Sequence, residues 1–237
     1  MWNRLCLLPL ILLILSGCSV LKPVDSLDKL DDLSPDSEIS AILDAYRPGI
    51  DNVMGKPIAI VKDTLRFDQP EGALGNMAAD ALRNRAALEL RKFIHLGIIG
   101  EGSFKTYFVP GQLTLGDVYE FMPYENRLSV LELSGDQVIE LIGQVAKVGG
   151  APISGARFKI DEENRARGIL VNSEVVDPNK RYLIATSNWV ANGGDQFPAL
   201  WNPIHRTDLD LSIKDVYVDF FRGRAELYNE KDGRVRK

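Results

Sequence analysis

Apolar positions recur along the chain with two different periods, and the alternation between them marks out most of the expected elements. Ile39, Ile42, Leu43 and Tyr46 fall at helical spacing behind Ser37, a residue suited to cap a helix start. Leu74, Met77, Ala78, Ala81 and Leu82 form a second stripe of that period, residues 135–148 a third, and residues 212–221 a late amphipathic one. Extended stretches lie at 57–61, 127–133, 156–160, 168–171 and 182–186, and residues 93–99 read as a buried strand. Helices and strands are interspersed, without the regular alternation and Gly-rich phosphate turns of a dinucleotide fold. The pattern predicts an α/β or α+β class, folded as a single mixed domain. No internal repeat is present.

The first residues follow a different logic. Arg4 precedes an almost wholly apolar run over residues 7–15, and Leu15-Ser16-Gly17-Cys18 follows at once. That order is a bacterial lipobox on an apolar run too short to span a bilayer. It predicts a signal peptide over residues 1–17 and a diacylglycerol on Cys18. Ser19 in place of Asp after that cysteine predicts sorting to the outer membrane, facing the periplasm. Residues 18–37 carry Pro23, Pro35, Asp25, Asp28, Asp31, Asp32 and Asp36 between isolated leucines. Such a segment buries too little apolar surface to offset its ordering entropy and reads as a flexible tether, so the folded domain is expected over residues 38–237.

Composition narrows the chemistry. With 45% hydrophobic residues, 26% charged and a net charge of -5, the chain can build an apolar core, and its acidity argues against nucleic acid as a partner. Cys6 lies in the expected signal peptide and Cys18 carries the lipid, so no disulfide is expected in the mature chain. A two-metal phosphoesterase needs several His, Asp and Asn ligands on closely spaced ions, and this chain has only His95 and His205. His95 reads as a strand histidine with a hydrogen-bonded neighbour, and His205 as an exposed loop residue. There is no Gly-x-Ser-x-Gly elbow, and Gly100-Glu101-Gly102-Ser103 lacks the Lys-Ser or Lys-Thr ending of a phosphate loop.

Four stretches carry a more specific signal. Glu71-Gly72-Ala73-Leu74-Gly75-Asn76 opens a helix; Gly100 to Lys105 is followed by Gly111-Gln112-Leu113-Thr114; Pro123-Tyr124-Glu125-Asn126 precedes Leu133-Ser134-Gly135; and Asn188-Trp189 precedes Ala191-Asn192-Gly193-Gly194-Asp195. In this order the stretches resemble the C-terminal, substrate-binding domain of the 5'-nucleotidase and UDP-sugar hydrolase family. The resemblance implies a base clamp in which Tyr124 and Trp189 stack on the two faces of a purine or pyrimidine, Asn126 hydrogen-bonds it, and Asp195 accepts from ribose hydroxyls. Lys105, Gly150, Gly193 and Gly194 complete the implied substrate-binding set.

Departures from the family pattern cluster in the second stretch. Lys105 replaces an arginine, giving a point charge in place of a bidentate fork. Gly100 stands where an asparagine is expected, Glu101 where a glycine is, and Arg66 lies near a second family arginine without aligning to it. The implied function is the substrate-binding subunit of a split periplasmic nucleotide phosphohydrolase, working in nucleotide catabolism with a separately encoded metallophosphatase. This chain would contribute no catalytic residue and no cofactor, the divalent metals sitting on the partner, and it would meet the membrane through its lipid alone. A nucleoside-binding lipoprotein without a catalytic partner, and a structural or interaction lipoprotein, stay open as alternatives.

Overall fold

The computed structural model describes residues 37–237; the expected signal peptide, Cys18 and the tether up to residue 36 lie outside the described residues. Residues 49–237 form one compact unit, to which the described residues 37–48 do not belong. Helix α1 (Ser37–Met54) crosses that boundary. Its residues Ile42, Leu43, Tyr46, Ile50 and Val53 are exposed, so the stripe read from their spacing is a surface feature.

The chain continues through β1 (Pro57–Val61), α2 (Ala73–Leu90), β2 (Leu96–Ile98), β3 (Gly111–Thr114), α3 (Leu115–Phe121), β4 (Arg127–Ser134) and α4 (Gly135–Lys147). There follow β5 (Ile153–Ser154), β6 (Ala156–Ile160), β7 (Ala166–Val171), β8 (Glu174–Val175), β9 (Arg181–Ser187) and α5 (Asn188–Ala191). The remainder is β10 (His205–Ser212), α6 (Ile213–Arg222), β11 (Glu226–Leu227) and β12 (Val235–Arg236). The strands form three sheets with orders β11-β1-β3, β10-β4-β9-β2-β5 and β12-β6-β7-β8. This is the expected mixed α/β class.

The five-stranded sheet is the organising layer. Side chains of a strand alternate between its faces, and here both faces are covered. Leu128 and Val130 of β4 enter one core with Leu74, Ala78 and Leu82 of α2 and Tyr217 and Phe221 of α6. Leu131 and Leu133 enter a second with Val138, Leu141, Ile142 and Val145 of α4. The polar Ser129 between them is fully buried, and its hydroxyl donates to Asp208 Oδ1 at 2.6 Å. Two capping boxes fix helix starts beside this sheet, Thr114 with Asp117 at α3 and Ser134 with Gln137 at α4.

Three local readings are corrected. Only Leu96–Ile98 of residues 93–99 is strand: α2 ends with Arg91 in the left-handed region (φ 49°), and Phe93 stays exposed while the chain travels to the sheet. His205 is exposed as expected but opens the strand β10, pairing opposite Glu132. The mostly polar sequence and irregular register of this edge strand hide its period. Residues 111–114 form β3 ahead of the expected helix start, antiparallel to β1.

The first motif is a structural joint. Glu71, buried, accepts on Oε1 from Asn76 Nδ2 at 2.7 Å, Asp232 N–H at 3.0 Å and Gly233 N–H at 3.1 Å. A Cβ on Gly72 would stand 2.4 Å from the Asp68 nitrogen, and one on Gly75 3.2 Å from Pro152. Glu71, held by Asn76, thus joins the start of α2 to the C-terminal segment, while Gly72 and Gly75 let the chain at Asp68 and Pro152 approach closely.

Candidate functional site

Strand direction brings distant loops together. β9 runs parallel to β2 (Leu96 opposite Ile184) and antiparallel to β4 (Leu128 opposite Ser187). The segments that follow β2, precede β4 and follow β9 therefore all lie at one end of the sheet. Two bonds lock the last two together. The Arg127 N–H donates to Asn188 Oδ1 at 3.0 Å, and Ser187 Oγ accepts from the Val190 N–H at 3.0 Å, capping the short helix that carries Trp189.

Between these loops lies a cavity of about 170 Å³ lined by Gly102, Ser103, Tyr124, Asn126 and Trp189. Tyr124 is 37% exposed and Trp189 42%, so neither ring is core filling. A Cβ on Gly194 would meet the Trp189 ring at 2.4 Å, which means that the backbone of this glycine lies directly on the indole. Gly193 precedes it with φ 105°, a conformation glycine adopts without strain. The Lys105 ammonium stands 5.4 Å from the Tyr124 ring centroid, within cation–π range. Glu125, where the resemblance expects glycine, pairs with the buried Lys214 at the start of α6 and so ties the Tyr124 loop to the core.

Of the residues expected to bind substrate, the structure brings Tyr124, Asn126 and Trp189 onto one cavity, with Lys105 beside Tyr124 and Gly194 behind Trp189. Asp195 is placed differently. It does not line the cavity; its carboxylate lies against the 100–103 turn, where a Cβ on Gly100 would come within 1.8 Å of Oδ2 and one on Gly102 within 2.8 Å of Oδ1. Its own φ is 56°, in the left-handed region that aspartate tolerates better than most residues. The Gly100 N–H and the Ser103 hydroxyl lie toward this carboxylate, but neither makes a well-aligned bond, so Asp195 Oδ2 and Ser103 Oγ are both buried without a partner. Burial holds the Asp195 carboxyl above its ordinary range, and the same cause, reinforced by Asp195 and Asp68, raises Glu101.

Gly150 is also displaced from the expected set. It follows α4 with φ 127°, its N–H donating to the Val145 carbonyl at 3.0 Å, and a Cβ there would meet the Pro70 carbonyl at 2.3 Å. Its role is close packing. Conversely, sequence reasoning did not single out Gly102 and Ser103 as cavity residues, although both fall inside the second family stretch.

The residues present do not fit a dimetal centre. His95 Nδ1 accepts from the Leu183 N–H at 2.9 Å, and the ring packs edge-on against Phe93 and Tyr182, each at 5.1 Å. Burial, aided by Arg83, keeps His95 below its usual pKa. His205 lies on the edge strand, and among the described residues no group of three His, Cys, Asp or Glu side chains could hold a metal ion.

The family model described as "5'-nucleotidase, C-terminal domain" matches residues 57–201. The chain belongs to this family. Across 178 residues it is 29% identical to the NAD 5'-nucleotidase of Haemophilus influenzae, covering 65% of this chain and 29% of that protein. It is 25% identical over 183 residues to the trifunctional nucleotide phosphoesterase YfkN of Bacillus subtilis, covering 70% of this chain and 12% of that protein. This 5'-nucleotidase C-terminal domain thus spans less than a third of either relative. Among solved structures, the 5'-nucleotidase precursor of Thermus thermophilus superimposes with a TM-score of 0.71 at 23% identity, over 86% of this chain and 44% of that one. The sulfate thiohydrolase SoxB of Thermus thermophilus shares the fold with a TM-score of 0.60 at 19% identity, covering 87% of this chain and 40% of that one. A fold common to these two does not by itself choose a ligand.

Proposed function

We propose that this domain is the base-binding half of a nucleotide phosphohydrolase, holding the purine or pyrimidine ring of a nucleotide or nucleoside between Tyr124 and Trp189 while a separately encoded metallophosphatase cleaves the phosphate. The observation that carries the reading is the pair of half-exposed rings on one small cavity, with the Asn126 amide beside them. A flat heterocycle presents two apolar faces and a polar edge, and that is the complement of two rings and an amide. The relatives named for NAD, nucleotide and phosphoester chemistry support the same class. Cavity size supports the division of labour. Ligand pockets usually enclose ~300–1,000 Å³, so about 170 Å³ accommodates one ring and leaves the remainder of a nucleotide for another surface.

Binding of adenosine and of 5'-AMP, followed by calorimetry on the chain, its Tyr124→Ala variant and its Trp189→Ala variant, tests this. Each truncation is expected to weaken binding by about 1–3 kcal/mol, roughly tenfold to hundredfold, with the melting temperature little changed. A core aromatic would behave otherwise, costing about 3–5 kcal/mol of stability. Absence of binding at millimolar ligand, with or without a metallophosphatase present, would replace this reading with that of an interaction protein. The envelope location rests on the lipobox. Cys18→Ala should abolish incorporation of labelled palmitate, and equal labelling of that variant would refute lipidation.

A further inference from the structure

The 100–103 turn departs from the pattern that the resemblance implies next to Asp195, an expected ligand residue that does not line the cavity, and the two facts have a single geometric cause. Asp195 can put its carboxylate behind this turn only because position 100 has no side chain: a Cβ there would sit 1.8 Å from Oδ2 and 1.9 Å from the carboxyl carbon. Asparagine, or any residue other than glycine, would evict it. Gly102 contributes to the same space, since a Cβ there would lie 2.8 Å from Oδ1.

The backbone conformation holds the arrangement. Gly193 at φ 105° and Asp195 at φ 56° turn the chain so that Gly194 lies on the Trp189 ring while the next side chain points to the 100–103 turn. The result is an acidic oxygen, Asp195 Oδ2, buried and unpartnered beside a cavity lined by Ser103, Tyr124 and Asn126, with the Ser103 hydroxyl likewise buried and unpartnered.

Resting on the base-clamp reading, we infer that Gly100 is a specificity-determining position: by housing the Asp195 carboxylate behind the 100–103 turn, it makes the site select a flat heterocyclic ring without reading the hydroxyls of an attached sugar. Ribonucleosides, deoxyribonucleosides and free bases are then comparable ligands. A carboxylate facing the ligand would prefer the ribose form, because a hydrogen bond to a charged acceptor is worth about 1.5–3 kcal/mol, roughly tenfold to hundredfold in affinity. The pKa of Asp195, raised first by burial, agrees with a carboxyl partly withdrawn from water.

The test measures dissociation constants of adenosine, 2'-deoxyadenosine and adenine on the chain, on Gly100→Ala and on Asp195→Ala, and follows the Asp195 carboxyl by ¹³C NMR titration without ligand. In the unaltered chain the adenosine and 2'-deoxyadenosine constants should agree within about threefold, and Asp195→Ala should leave their ratio unchanged. In Gly100→Ala the displaced carboxylate should titrate closer to its ordinary range, and adenosine should gain on 2'-deoxyadenosine by about tenfold. A tenfold ribose preference in the unaltered chain that Asp195→Ala removes would overturn the inference while leaving the base clamp intact. If Gly100→Ala does not fold, this ratio in the unaltered chain and in Asp195→Ala still decides. Failure of all three ligands to bind the unaltered chain overturns the clamp, and the inference with it. An unshifted Asp195 titration in Gly100→Ala overturns the proposed housing independently of any ligand.

Discussion

Glu71 offers a sharp test of whether a family motif serves the fold or the ligand. Its Oε1 takes three bonds at 2.7, 3.0 and 3.1 Å from Asn76, Asp232 and Gly233, linking the start of α2 to the C-terminal segment. Replacing it by alanine leaves a buried amide and two backbone N–H groups without their acceptor. Bonds to charged groups contribute about 1.5–3 kcal/mol each, but three that share one oxygen do not add. The loss should therefore come to about 3–5 kcal/mol. Glu71→Gln keeps an accepting oxygen in place and should cost about 1 kcal/mol, since only the charge is lost. Urea denaturation separates the cases, because a shift of midpoint at constant slope reports stability alone. For a domain of this size each kcal/mol moves the melting temperature by roughly 2–4 °C. Both variants, measured below their melting range, should bind adenosine as the unaltered chain does. A cost below about 1 kcal/mol for alanine, or a tenfold loss of adenosine affinity in a folded Gln variant, would refute the assignment of this motif to the fold.

Three further outcomes follow from named contacts. Asp195 has a folded-state pKa raised by burial, so the stability of its neutral form is present at low pH and is lost as pH rises through that value. Asp195→Asn, which cannot ionise, should be more stable than the unaltered chain at neutral pH and converge with it below the ordinary carboxylate range. Melting curves across pH check this, and a constant difference would contradict it. Gly194→Ala places a methyl 2.4 Å from the Trp189 ring and should shift tryptophan emission while weakening adenosine binding about tenfold or more. An unchanged affinity would mean that the indole face against Gly194 does not position the ring. Arg234, with a side chain only 11% exposed, forks onto both oxygens of Asp80 at 2.9 and 3.1 Å, so Arg234→Met should cost about 3–5 kcal/mol in urea denaturation by stranding a partly buried carboxylate. A cost under 1 kcal/mol would show that water replaces the pair.

How much of this was legible in the sequence depends on what fixed each element. Helices α2, α4 and α6 and strands β1, β4, β6 and β9 were readable because their apolar periods face a core on at least one side. β10 was not, since this edge strand carries His205, Arg206, Asp208 and Asp210 and only Leu209 and Leu211 of it pack against a core. β5, β8, β11 and β12 are two-residue strands, and pairings that short depend on tertiary placement. In the site, motif order located Tyr124, Asn126 and Trp189 on one cavity, but the position of Asp195 was out of reach. It follows from a missing Cβ at Gly100, 95 residues away in the chain, and no local pattern reports a vacancy at that distance. For α1 the helical period was right, and its exposure was not legible because spacing describes a face without saying what lies against it.

The two halves of the cavity are held by different parts of the fold. Tyr124 and Trp189 hang on the β4–β9 ladder, which runs in register from Leu128 opposite Ser187 to Ser134 opposite Arg181. A slip of one residue would turn Leu131, Leu133 and Ile184 out of their core, so the spacing of the rings is held by the same packing that keeps the sheet folded. The 100–105 segment is anchored through Ser103 and Phe104, both buried, with the Phe104 ring stacked on Phe67 at 4.5 Å and on Phe121 at 4.6 Å. The Lys105 N–H donates to the Phe121 carbonyl at 3.1 Å, while the Glu101 and Lys105 side chains are exposed. Substitutions at those two exposed positions are expected to cost little stability. Both belong, with Gly100, to the positions where the sequence departs from the pattern that the resemblance implies, as does Glu125 on the Tyr124 loop. On the base-clamp reading, change at these exposed positions should therefore leave the aromatic pair in place for as long as the core survives.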